Sequence, residues 1–180
     1  MYGWVRDDES VGHSVARLER TADGWLAHGA ETLIGDITMA CRFRVGLDAR
    51  WRTRDVPVTV VDDDGERTST LEVLDGTWTV DGSVRPDLLG CVDVDVAATP
   101  LTNTFPIRRL EALAVGESST SPVAWVDVPS LQVHRVDQTY RRLGPLGWEY
   151  SDPTHGAFEL VVDDQGVVVD YAGLARRVTG

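Results

Sequence analysis

The chain has 180 residues, 42% of them hydrophobic and 26% charged, the composition of one soluble globular domain over 1–180 able to bury its own core. Its net charge is −12, and all 17 basic residues are arginine. The lack of lysine excludes a Schiff-base or P-loop lysine, and the acidic balance argues against nucleic acid and anionic membrane surfaces, which are bound through basic patches.

In chain order, the first residues, Met1 to Asp8, carry neither the basic nor the apolar region of a secretory signal. No run reaches the roughly 18 apolar residues that span a bilayer. The expectation is a cytoplasmic protein, not a membrane-spanning one, with Cys41 and Cys91 as reduced buried thiols. Asp-Gly pairs at 23–24, 64–65, 75–76 and 81–82, with a looser version at 163–166, read as tight hairpin turns, because both residues tolerate positive φ. Between them lie runs of strand length. The clearest is 37–47, where Ile37, Met39, Cys41, Phe43, Val45 and Leu47 alternate with smaller or polar residues. Further strands are expected at 56–61, around Leu71 and Val73, around Trp78 and Val80, and at 122–128, 131–140, 157–162 and 167–171. Short turns between strands imply antiparallel pairing. The fold expected is mainly β: one large curved antiparallel sheet of roughly eight to eleven strands, forming an incomplete β-barrel. One short helix is expected around 104–115, capped by Asn103 or Thr104, with Pro106 in its first turn and Gly116 ending it.

Few residues form a recognisable catalytic pattern. No Gly-x-Ser-x-Gly occurs, and Gly116-Glu117-Ser118-Ser119-Thr120 lacks the closing glycine. His13, His28, His134 and His155 never stand two or four apart, so neither a metal nor any cofactor is expected. Cys41 with His134 is a conceivable nucleophile and base, but Cys41 falls on the apolar face, where burial weakens a thiol. In Cys91-Val92-Asp93-Val94-Asp95-Val96 the two carboxylates share one side of an extended strand, roughly 7 Å apart. That spacing suits a glycosidase pair or a cation, though alternation alone would place the valines inward and the aspartates in water. Trp51, Trp78, Trp125 and Trp148 fall in or beside strands, as core or as the lining of a cavity.

The stretch from Arg85 to Val96, then Thr99-Pro100-Leu101-Thr102-Asn103-Thr104-Phe105-Pro106-Ile107-Arg108-Arg109-Leu110, resembles the signature of a bacterial family named "putative glycolipid-binding". Trp51-Arg52-Thr53-Arg54, Ala124 to Leu131, Gln138-Thr139-Tyr140 and Val169-Asp170-Tyr171 extend the resemblance over nearly the whole chain. It implies an incomplete antiparallel barrel with a helical element, likened to the lipoprotein carriers LolA and LolB and to a mycobacterial lipid-carrying lipoprotein. It also implies a lipid or glycolipid ligand. No catalytic residue carries over from it. The charged residues of the signature gather near the helix, and Arg108 or Arg109 is expected to pair with an aspartate and pin the helix over the mouth of the sheet, or else to bind an anionic head group. The function expected is non-catalytic binding of an apolar ligand on the concave face, with Trp78, Arg85, Asp93, Asp95, Asn103, Arg108, Arg109, Trp125 and Tyr140 as candidate ligand-binding residues. The competing expectation is a small hydrolase or glycan-acting enzyme using Asp93 and Asp95; a scaffold or oligomer-forming domain is a third.

Overall fold

A computed structural model describes residues 1–7, 11–97 and 99–178. The first half of the chain forms β1 (Tyr2–Arg6), β2 (Val11–Arg20), β3 (Gly24–Ile34), β4 (Met39–Asp48), β5 (Thr53–Asp62), β6 (Gly65–Leu74), β7 (Thr77–Val80) and β8 (Ser83–Val84). Next come 3₁₀ turns at Pro86–Leu88 and Leu101–Asn103, with β9 (Asp93–Val96) between them and α1 (Thr104–Arg109) after them. The second half forms β10 (Ser118–Val126), β11 (Val133–Arg142), β12 (Gly147–Asp152), β13 (Gly156–Val162), β14 (Val168–Tyr171) and β15 (Ala175–Arg177).

Among the described residues these make one sheet of 15 strands, in the order β8-β7-β6-β5-β4-β3-β2-β1-β15-β14-β13-β12-β11-β10-β9. Two meanders meet where β1 pairs with β15, Trp4 opposite Arg177. Two of the Asp-Gly pairs behave as read: at Asp75-Gly76 and Asp81-Gly82 both residues have positive φ, the requirement of a two-residue hairpin turn, whereas at 23–24 and 64–65 only the glycine does. No described helix is long and apolar enough to cross a membrane.

Four expectations are corrected. The sheet has more strands than eight to eleven: β1, β2, β3, β8, β9, β12 and β15 fall outside the runs named from the sequence. Pairing is not wholly antiparallel: β9 runs parallel to β10, since the 3₁₀ and helical segment between them serves as a crossover. The helix ends at Arg109 rather than near 115, and Gly116 lies beyond it in a turn before β10. Asn103 makes no side-chain cap, because its amide oxygen accepts a hydrogen bond from the Tyr140 hydroxyl instead.

Two of the strands missed in the sequence, β2 and β3, have inward faces of small or polar residues. On β2 these are Gly12, Ser14 and Ala16, and on β3 Ala27, Gly29 and Glu31, all buried. On β3 this smallness accommodates a large side chain of β4. Gly29 lies opposite Phe43, and a Cβ at 29 would overlap the Phe43 ring. Gly29→Ala is therefore expected to lower stability by roughly 1–3 kcal/mol through overpacking. Urea denaturation checks this: an unchanged midpoint would show that the ring has room to move, and Gly29→Ala with Phe43→Leu should recover much of the loss.

The sheet is not closed by a ladder, yet its edges are tied. The Thr53 N–H donates to the Val92 carbonyl at 3.0 Å, and its hydroxyl accepts from the Val94 N–H at 2.9 Å. The Trp78 indole N–H donates to the Cys91 carbonyl at 3.0 Å. Two cores result. The larger gathers Trp4, Phe43, Val45, Val56, Trp78 and Leu101 with Val94, Val96 and Val126; the smaller gathers Ile107, Tyr140, Trp148, Tyr150, Leu160 and Tyr171. Phe105 packs in the first and Ile107 in the second, so α1 sits between them as a plug.

Candidate functional site

β9 is buried on both faces, which is why alternation misleads there. Val94 and Val96 enter the larger core, and Asp93 and Asp95 point the other way into protein rather than into water. Parallel register brings Trp125 of β10 beside Asp95 on that face. The continuing antiparallel ladder adds Tyr140, opposite Tyr150, and Phe158, opposite Tyr150 in turn. The result is a cavity of about 360 Å³, lined by Asp95, Asn103, Trp125, Tyr150, Asp152, His155, Phe158 and Tyr171, with Arg6, Thr99 and Leu174 at its other side.

A continuous polar chain runs along this wall. Asp95 accepts hydrogen bonds from the Thr102 hydroxyl and the Gln138 amide, each at 2.6 Å. The Gln138 amide also donates to the Tyr150 hydroxyl at 3.1 Å, and that hydroxyl donates to Asp152 at 2.6 Å. Asp152 further accepts from the backbone N–H groups of Thr154 and His155 at 2.7 and 2.8 Å. The His155 Nδ1 lies 3.1 Å from both carboxylate oxygens, and the ring rests 5.9 Å from that of Trp125.

The two carboxylates are tuned in opposite directions. Burial pushes Asp95 above the usual carboxylate range, against its hydrogen bonds from Thr102 and Gln138. Burial acts on Asp152 too, but the Tyr150 hydroxyl, the two N–H groups and the His155 ring together hold it below that range. The tyrosyl hydroxyls of Tyr140, Tyr150 and Tyr171 are pushed up, chiefly by burial, and stay protonated donors.

Of the sequence candidates, Asp95, Asn103 and Trp125 line the cavity. Asp93, Arg109 and Tyr140 form a layer behind it. Asp93 is 1% exposed and pairs with Arg109, the contact that one of the two expected roles for these arginines requires. Burial raises the Asp93 carboxyl, and the Arg109 guanidinium opposes the rise. Because Asp93 is sealed by this pair, Asp93 and Asp95 do not face one cavity together; the second carboxylate there is Asp152. Trp78 is core, Arg85 is bound to Asp87 and to the Val133 carbonyl, and Arg108 lies over the Trp51 ring at 5.5 Å while pairing with Glu111 at 3.2 Å. Cys41 is a free thiol pushed up to about 12 by burial and by the Glu31 charge, unsuited to nucleophilic work.

The sequence reading missed Asp152, His155 and Glu31. The first two stand three apart across a strand end and a turn, a spacing that no regular element advertises. Glu31 is 3% exposed on the inner face of β3, where its carboxylate accepts from the Ser14 hydroxyl through Oε2 and, among the described residues, its Oε1 accepts no hydrogen bond. Burial raises it to about 7, against hydrogen bonds from Ser14 and Thr99.

The family model described as "Putative glycolipid-binding" matches residues 1–177. A solved protein of the DUF1089 family from Pseudomonas aeruginosa is 31% identical over 92% of each chain, with a TM-score of 0.81. A beta-barrel-like protein of domain of unknown function DUF1849 from Brucella abortus is 15% identical, covering 99% of this chain and 94% of that one at a TM-score of 0.53, a likeness of fold alone. No curated protein matches.

Proposed function

The chain belongs to the putative glycolipid-binding family, and from that premise we propose that it is a non-catalytic binding protein, holding a lipid, glycolipid or other apolar ligand on the concave face of its open barrel. The observation that carries this reading is the composition of the cavity wall. Trp125, Phe158 and Tyr171 offer ring faces to an acyl chain or to the C–H face of a sugar. Asp95, Asp152 and Asn103 offer oxygens that accept hydrogen bonds from hydroxyl groups. Two carboxylates on that wall favour a hydroxyl-rich headgroup over a phosphate, since like charges repel at such range. The cavity, about 360 Å³, falls in the range of small-ligand sites.

Native mass spectrometry of the purified protein, followed by solvent extraction, tests this. A co-purifying lipid or glycolipid is expected, and Trp125→Ala should reduce its occupancy on the order of tenfold, the loss of one stacked ring. An apo mass unchanged by added lipids would sink the reading.

One observation favours the enzyme reading as an alternative: Asp95 and Asp152 face one cavity with opposite shifts, and Asp152 orients His155. That is the arrangement of a proton donor and a general base for hydrolysis by water. Extracted ligand would then appear cleaved, and Asp152→Asn would preserve it intact.

A further inference from the structure

The outer face of the N-terminal meander gathers basic side chains. Arg17 of β2 stands opposite His28 of β3, and His28 stands opposite Arg44 of β4. Two residues along the strands, Val15, Ala30 and Arg42 form the adjacent row. Strands lie about 4.8 Å apart, so the first row spans about 10 Å, with Arg42 on its diagonal.

The arginines do have acidic neighbours. Glu19 pairs with Arg17 at 2.9 Å, Asp55 with Arg44 at 2.5 Å and Glu66 with Arg42 at 3.3 Å. All six side chains are 36–70% exposed, and ion pairs in water contribute little and exchange easily. A guanidinium has five N–H donors, more than one carboxylate takes up. Between the rows lies a groove of about 490 Å³, with Val15, Ala30 and Pro57 among its apolar lining. Beyond it on the same face, Val11, Ile34 and Val61 are exposed.

We propose that this groove binds an anionic amphiphile, its phosphate or carboxylate headgroup held by Arg42 and Arg44 and its acyl chain laid over Val15 toward Val11 and Ile34. The planar forks of arginine match both headgroups. The apolar strip beyond them removes methylenes from water, at about 0.8 kcal/mol for each one fully buried. This face is the outer side of the sheet, so the site stands or falls independently of the interior cavity.

The test is calorimetric titration of the whole chain with dodecyl phosphate below its micelle concentration. Decanoate is titrated alongside to assign the headgroup, and inorganic phosphate and dodecyl maltoside serve as the separated halves of the ligand. The expected result is one site for at least one of the two anionic amphiphiles, weakened tenfold or more in Arg42→Gln/Arg44→Gln and unchanged in Trp125→Ala. Inorganic phosphate should bind far more weakly, and dodecyl maltoside should not displace the bound amphiphile. Val15→Ser, at an exposed position and without a change of charge, provides a second variant that weakens the amphiphile by removing the seat of its chain. Wild-type affinity in both the arginine and the Val15 variants would overturn the proposal, as would a loss that follows Trp125→Ala instead. Failure here leaves the interior binding reading to its own test, and the reverse holds too.

Discussion

Glu31→Gln is expected to stabilise the protein above neutral pH by about 3 kcal/mol. The native carboxyl titrates at about 7 against an ordinary 4.5 because burial disfavours its charge. Between those two values the native state holds a proton that the unfolded chain has released. Stability attributable to this group is therefore intact below about pH 4.5 and falls as pH rises to about 7, after which the loss is complete. Glutamine keeps the shape and the bond to Ser14 and removes the titration. Denaturant unfolding of both proteins from pH 4 to 8 measures the difference directly. Asp93 and Asp95 are raised as well, so the variant should retain some pH dependence of the same sign, and the contrast between the two proteins is the quantity to read. Parallel curves would mean that Glu31 is paired or hydrated in the native state.

Arg109→Met is expected to cost about 3 kcal/mol or more, and to lower Tm by roughly 10 °C, because it strands the Asp93 carboxylate in the interior. That side chain is 2% exposed, Arg109 meets its Oδ2, and among the described residues its Oδ1 has no hydrogen-bond partner. The cost should be greatest at high pH, since protonation relieves an unpaired buried carboxylate as pH falls. Replacing both partners, as Asp93→Leu with Arg109→Met, should restore most of the stability, because two apolar groups of similar shape need no pairing. Thermal melts of the single and double variants decide it. If Arg109→Met melts like the wild type but loses ligand, the guanidinium serves a headgroup and not the helix.

The strand β4 was legible because its inward residues are all large and apolar and its outward ones are not. Its neighbours β2 and β3 were illegible for a complementary reason. Their inner faces carry Gly12, Ser14, Ala16 and Gly29, the last of which leaves room for Phe43, and small residues give no periodic signal. β9 was misread in the opposite sense. Alternation assumes that one face is wet, and here the crossover and α1 cover the face that the aspartates occupy. The gathering of charge around the helix was legible, and the Asp93–Arg109 pair fulfils one of the two roles anticipated for it. The choice of cavity-facing carboxylate was not. Asp152 and His155 reach Asp95 only through Gln138 and Tyr150, across three strands whose order no local pattern records.

The pairing of β1 with β15 has a mechanical consequence. The two strands are antiparallel, and the Val178 N–H donates to the Gly3 carbonyl, so the two ends of the described chain leave from the same end of that ladder. A force applied between residues 2 and 178 would load its rungs one after another, because the bonds lie across the strands and along the pull. The seam between the meanders would open like a zip under a small load, while the hairpins on either side, whose ends lie elsewhere, would still hold their shape.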